Sequence, residues 1–139
     1  MTTMQDRAHA MFDLRHRRAP RGGAETRVFD RGEVWLLDLG ETVGSEQSWV
    51  RPGLVWVTDA AGLRRGEMVT ILPMTTRLRE GVPSRVTMVP PEGGLSRPSD
   101  VMADQMRTVS TLRLQRLMGI ASPATMARVS AVLQRLMGL

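Results

Sequence analysis

The chain contains no cysteine, no lysine and no tyrosine, and it has two histidines. Each absence removes a class of chemistry. Without cysteine there are no disulfides and no thiolate metal sites, which fits a cytoplasmic protein. Without lysine there is no Gly-rich phosphate loop of the kind that ends in Lys. His9 and His16 both lie near the start, so the rest of the chain has no Ser-His-Asp triad and no histidine acid–base pair. No dinucleotide-binding glycine fingerprint follows a strand, and no cluster of His and Asp has metal-ligand spacing. No apolar run approaches the ~20 residues of a membrane span. The first thirty residues are Arg-rich and lack the apolar stretch of a signal peptide. With only three Trp and two Phe against 11 Met, the core must be built from Val, Leu, Ile and Met.

At 139 residues and 42% apolar content, the chain suits one globular domain of ordinary size. All 19 basic residues are Arg, and the net charge is +5. Arg is the better bidentate phosphate ligand. A basic balance favours nucleic acid, an acidic protein or anionic lipid as partner. The charge is spread, however. Residues 1–30 hold six Arg and four acids, and residues 31–139 hold thirteen Arg and ten acids. A phosphate-binding surface in the second part therefore requires clustering of its Arg residues.

Residues 1–30 read as a basic, flexible N-terminal tail. His16-Arg17-Arg18-Ala19-Pro20-Arg21-Gly22-Gly23 has linker composition. From residue 31 the pattern becomes that of a folded domain, 31–139. Apolar runs at Val34–Leu39, Leu54–Val57, Met68–Leu72, Arg85–Val89 and Asp100–Met106 predict five strands, separated by Gly- and Pro-containing breaks. Ser110 is placed to cap a short helix over Leu112–Met118, stopped by Gly119. Ser122-Pro123 starts a second helix. Met126, Val129, Leu133, Leu136 and Met137 give it an apolar stripe, and Gly138 ends it. Five short strands followed by helices make an α+β domain with a mostly antiparallel sheet. A small curled sheet or barrel closed by the last helix is the natural architecture.

The connection Gly44-Ser45-Glu46-Gln47-Ser48-Trp49-Val50-Arg51-Pro52 stands out. A plain hairpin needs about two to five residues. This stretch is longer, and it gathers a carboxylate, an amide, hydroxyls, an indole and a guanidinium. Loops on a rigid scaffold are where binding and catalysis concentrate. If the domain is an enzyme, its chemistry rests on Arg, Thr, Ser, Glu, Asp or Gln. Arg and hydroxyl groups suit stabilisation of charge on a phosphate more than activation of water.

Four blocks then carry a resemblance. They are Arg31-Gly32-Glu33-Val34-Trp35; Gly44-Ser45-Glu46-Gln47 with Val50-Arg51-Pro52; Leu72-Pro73-Met74-Thr75-Thr76; and Asp104-Gln105-Met106-Arg107-Thr108, followed by the Ser122-Pro123 helix. In order and separation, over roughly residues 30–139, they resemble the MazF/PemK family of toxin endoribonucleases. The resemblance implies a small SH3-like antiparallel barrel of the CcdB/PemK type with a C-terminal helix, acting as a homodimer in the cytoplasm without membrane attachment. It implies cleavage of single-stranded RNA without metal or other cofactor, leaving a 2′,3′-cyclic phosphate and a 5′-hydroxyl. It also implies neutralisation by an acidic, MazE-like antitoxin laid across the RNA-binding groove. The related gyrase-poisoning toxins share the fold and bind a protein target, so a non-catalytic binding role is the alternative, as is a copy that binds only its antitoxin.

The family's catalytic Arg falls on Arg51 and its catalytic Thr on Thr75. A guanidinium offers fixed donors to the charge that builds on the phosphorane. Strand alternation allows only one of Thr75 and Thr76 to face the site. Glu46 reads two ways, as the base for the 2′-hydroxyl or as a carboxylate orienting Arg51 or Arg107. Ser45 and Gln47 hold the loop or contact RNA. Trp49 departs from the small residues common there in the family; it stacks on a base or packs at the dimer interface. Gln105 and Arg107, two apart on the fifth predicted strand, would share a face, one reading a base edge and one binding phosphate.

Overall fold

In the first three strands the parity of a residue's number decides which of two cores it joins. The computed structural model describes residues 29–40, 50–58 and 67–139. β1 spans Glu33–Asp38, β2 Val50–Val57 and β3 Met68–Thr75. Because side chains alternate across a strand, Val34, Leu54, Leu72 and Met74 enter one core while Trp35, Leu37, Val55, Val69 and Ile71 enter the other. Both faces of this part of the sheet are apolar, as the run Leu54–Val57 already suggested.

β4 (Arg85–Met88), β5 (Ser99–Met102), β6 (Arg107–Ser110) and β7 (Leu114–Ile120) complete a seven-stranded sheet. Its order is β4-β5-β3-β2-β1-β7, with β6 also on β3, and every pairing is antiparallel. The barrel implied by the resemblance is therefore an open, curled sheet. Closure would require β7 to pair beyond β1. Instead β7 follows β1 through two register irregularities, at Val34/Trp35 and at Leu36/Leu37. Val109, Leu114 and Leu117 join the odd-parity core. Phe29, just ahead of the expected start of the domain, is buried in the same core and meets Trp35 edge-on, with ring centroids 5.0 Å apart.

The fifth predicted strand, Asp100–Met106, ends early: β5 stops at Met102, a turn follows, and a separate strand, β6, begins only at Arg107. The reason is arithmetic along β3. Met74 pairs with Val101 and Ile71 pairs with Arg107. Three steps on β3 thus correspond to six on the other chain. The surplus is taken up by a single 3-10 turn at Ala103–Gln105.

The helix expected over Leu112–Met118 is also replaced. Ser110 does cap, accepting a hydrogen bond from the Leu112 N–H at 3.2 Å, but only for the 3-10 turn Thr111–Arg113. β7 follows at once. The spacing of Leu112, Leu114, Leu117 and Met118 fits a helix locally. Yet the second edge of buried β1 needs a hydrogen-bonding partner, and this tertiary demand overrides the local preference. Leu112 is left 88% exposed.

β7 is also fixed to the turn after β4. Gly93 and Gly94, at φ +64° and +70°, lie against the backbone of Met118 and Gly119. A Cβ at Gly94 would collide with the Met118 carbonyl, and one at Gly119 with the Gly93–Gly94 peptide. Glu92, beside them, accepts a hydrogen bond from the Ser122 N–H at 3.1 Å.

α1 (Pro123–Met137) begins and ends as the sequence predicts. Ser122 Oγ accepts from the Thr125 N–H at 3.1 Å, and Pro123 opens the first turn. Gly138, at φ +71°, ends the helix with its N–H on the Arg135 carbonyl. Val129 and Leu133 pack into the even-parity core with Val86, Met88 and Val101. Leu136 and Met137, expected on the same stripe, stay 50% and 55% exposed, outside the even-parity core that takes Val129 and Leu133. Ser122→Ala is expected to cost ~1 kcal/mol by loss of the cap. The check is a lower urea midpoint with an unchanged slope. No helix among the described residues is long and apolar enough to cross a membrane.

Candidate active site

The pairing of β2 with β3 organises the site. Gly53 stands opposite Pro73, Leu54 opposite Leu72 and Val55 opposite Ile71. Continued two residues past Gly53 and Pro73, the same register sets Arg51 across from Thr75. Both residues are half-buried and have odd parity, so they share a sheet face at the rim of the second core.

On its other side Arg51 pairs with Leu37 of β1. Leu37 is fully buried. Its Cδ1 occupies the ground that a side chain at Gly53 would take. The floor beside Arg51 is therefore apolar and closely filled, and glycine at position 53 is what allows Leu37 to lie there. A guanidinium rooted on such a floor has fewer positions open to it than one on a mobile loop.

The outer edge of β3 brings up the other residues. Arg107, exposed, pairs with Ile71 at the start of β6. Gln105, also exposed, lies in the 3-10 turn between β5 and β6 rather than on a strand with Arg107. The expected shared face is thus replaced by a turn that puts Gln105 beside the C-terminal half of β3. Thr75 is the last residue of β3, and Thr76 lies exposed beyond it. Thr75 Oγ1 accepts a hydrogen bond from the Arg77 N–H at 3.2 Å. Ser45, Glu46, Gln47 and Trp49 fall outside the described residues.

Asp100 is the residue that reading the sequence missed. It is fully buried, and it pairs with Thr75 across β3–β5 and with Thr87 across β4–β5. Its Oδ1 accepts from Thr87 Oγ1 at 2.6 Å. Its Oδ2 accepts from the Arg79 N–H at 2.9 Å and from Arg85 Nη1 at 3.5 Å. The Arg85 side chain is 11% exposed, so this is a buried ion pair. The same Arg85 Nη1 reaches the Arg77 carbonyl at 3.3 Å. An acid placed inside a short apolar strand, Ser99-Asp100-Val101-Met102, was the available signal.

With Asp100 neutralised by Arg85, the surface around Thr75 is cationic. Arg77, Arg79 and Arg107 are exposed there, beside half-buried Arg51. The nearby exposed acids are Glu80 and Asp104, fewer than the arginines. Such a surface suits a phosphodiester chain. Among the described residues, no group of three or more His, Cys, Asp or Glu is placed to hold a metal ion.

Known proteins share both the sequence pattern and the fold. Residues 30–137 match the family of PemK-like, MazF-like toxins of type II toxin-antitoxin systems. The endoribonuclease MazF9 of Mycobacterium tuberculosis is 33% identical over 109 residues, covering 75% of this chain and 92% of that protein. The endoribonuclease EndoA of Bacillus subtilis is 31% identical over 108 residues, covering 77% and 92%. A solved MazE–MazF structure from Deinococcus radiodurans superposes with a TM-score of 0.65 at 29% identity, covering 81% of this chain and 98% of that one. The antiparallel sheet, the single C-terminal helix and the match across residues 30–137 agree, and the chain belongs to the PemK-like, MazF-like family of type II toxins.

Proposed function

We propose that this chain is the toxin of a toxin–antitoxin pair and an endoribonuclease that cuts single-stranded RNA without a metal. The observation that carries the reading is the register of β2 with β3, which brings Arg51 and Thr75 to one face in a chain of this family. In the proposed reaction the substrate's own 2′-oxygen attacks the adjacent phosphorus and loses its proton. The bond to the 5′-oxygen breaks, and that oxygen is protonated. The products are a 2′,3′-cyclic phosphate and a 5′-hydroxyl.

Arg51 and Thr75 donate to the non-bridging oxygens, where negative charge grows in the transition state. Glu46 takes the 2′-hydroxyl proton or holds Arg51 in place. A carboxylate near its ordinary pKa is a weak base for this step, so orientation is the less demanding role. Gln105 reads a base edge and Arg107 binds phosphate along the outer edge of β3. Ser45, Gln47 and Trp49, which precede β2 in the sequence, contact the RNA.

The same cationic face suits an acidic antitoxin segment, and a solved MazE–MazF structure among its relatives supports an antitoxin as partner. The protein works in the cytoplasm, where its RNA is, as a homodimer. Purified protein is expected to cut a long single-stranded RNA equally well with and without EDTA, leaving cyclic-phosphate ends. Cutting that requires added Mg²⁺ would overturn the metal-free route. Intact RNA under every condition would favour a purely binding toxin.

A further inference from the structure

We infer that Asp100 and Arg85 are a positioning pair that sets the Thr75 hydroxyl for cleavage, an inference that rests on Thr75 being part of the RNA site. Asp100 has no exposed surface, so it cannot touch RNA itself. Besides the β3–β5 pairing of their backbones, the Asp100 side chain is linked to Thr75 through the backbone of Arg77. Arg85 Nη1 links the Asp100 carboxylate to the Arg77 carbonyl, and the Arg77 N–H donates to Thr75 Oγ1. A second hold on the same segment comes from the Arg79 N–H on Asp100 Oδ2. Two backbone groups, at 77 and 79, are thereby fixed by one buried ion pair.

The segment needs such holds. Residues 76–81 are all exposed, including Leu78 at 47%, so none of them is anchored in either apolar core. Without its anchors it would move as ordinary loops do. A hydroxyl carries one proton and two acceptor lone pairs. With one lone pair engaged by the Arg77 N–H, the rotamer of Thr75 is restricted and its proton remains available for a phosphate oxygen.

A buried carboxylate is a costly way to stabilise a strand, since well-packed apolar residues often serve as well. Here it performs a task an apolar side chain could not. It accepts from three donors on two different segments, the Arg79 N–H in the connection after β3 and the Arg85 and Thr87 side chains of β4. Thr87 Oγ1, at 2.6 Å, fixes the orientation of the carboxylate from β4. Rigid strands therefore hold the acid, and the acid holds the loop.

The test combines kinetics with amide exchange. Cut sites are first mapped on a long mixed RNA, and a short RNA spanning the main cut is then used in steady-state and enzyme-excess assays. Asp100→Asn and Arg85→Met are each expected to lower kcat by roughly 10- to 100-fold, the effect of misplacing a reacting group. KM should stay nearly unchanged, because binding is not at stake. In a Thr75→Ala background, Asp100→Asn should add nothing further, since its effect runs through that hydroxyl. Exchange of the Arg77 amide should quicken by about tenfold in both single variants, while amides of the central strands stay protected.

Full kcat in folded Asp100→Asn and Arg85→Met would overturn the inference. So would a further full loss in the Thr75→Ala background, or an unchanged Arg77 exchange rate. If Asp100→Asn fails to fold, Arg85→Met carries the same measurements. If Thr75→Ala is too slow to measure, the exchange rate decides. Thr75→Ala cutting at the native rate would instead sink the assignment of Thr75 on which the inference rests.

Discussion

Arg51→Ala is expected to slow RNA cleavage by about 100- to 1,000-fold, the loss seen when one well-placed donor to a transition-state oxyanion is removed. The effect should lie in kcat more than in KM, because in the proposed mechanism the guanidinium meets charge that develops only as the 2′-oxygen attacks. Lysine is not an adequate replacement. It supplies a point charge where the planar fork supplies two parallel donors, so Arg51→Lys should recover only part of the rate. The fold should survive both changes. Arg51 belongs to neither apolar core, and its neighbours Leu37, Gly53 and Pro73 keep their packing. The measurement is the rate on a fixed RNA together with a thermal melt of the same preparation. Native cleavage by a folded Arg51→Ala variant would remove Arg51 from the mechanism.

Gly94→Ala should be the most damaging of the small substitutions considered for stability, costing about 3 kcal/mol or more. Two terms add. The left-handed backbone at φ +70° disfavours any L side chain by roughly 1–2 kcal/mol. The new methyl also meets the Met118 carbonyl, which is backbone and cannot rotate away. Overpacking of this kind costs about 1–3 kcal/mol and sometimes more. Gly81→Ala separates the two terms. Its φ is +73°, yet nothing lies within 4 Å of its Cβ position. That variant should lose only the conformational part, about 1–2 kcal/mol. Urea denaturation of the pair measures both. Equal losses at 81 and 94 would mean that the contact with β7 carries no weight.

Much of the sheet was legible because its strands are local signals. The runs at Val34–Leu39, Leu54–Val57, Met68–Leu72 and Arg85–Val89 are apolar or alternating and are bounded by Gly and Pro. Ser122-Pro123 and Gly138 marked the final helix for equally local reasons. The division of β5 from β6 was not legible, since it depends on how many residues of β3 lie between two partners. β7 was read as a helix because Leu114, Leu117 and Met118 fit both periods over so short a span, and only the demand of β1 for a second partner decides between them. Within the site, Arg51 and Thr75 came from the family resemblance, and the β2–β3 register gives their placement a physical basis. Asp100 escaped because a lone acid in a strand reads as a solvated residue until its three donors are seen.

The division of β1–β3 by parity sets a rule for changes of chain length. Substitutions on the even face answer to α1, and those on the odd face answer to the site and the second core. A one-residue deletion inside β3 obeys neither limit. It would turn every later side chain of that strand to the opposite face, sending Met74 toward the proposed RNA site and Thr75 toward the helix. Point changes can therefore accumulate in these strands where insertions and deletions cannot. Variation in length belongs in the connections, with the strands keeping a fixed count of residues from Arg51 to Val55 and from Ile71 to Thr75.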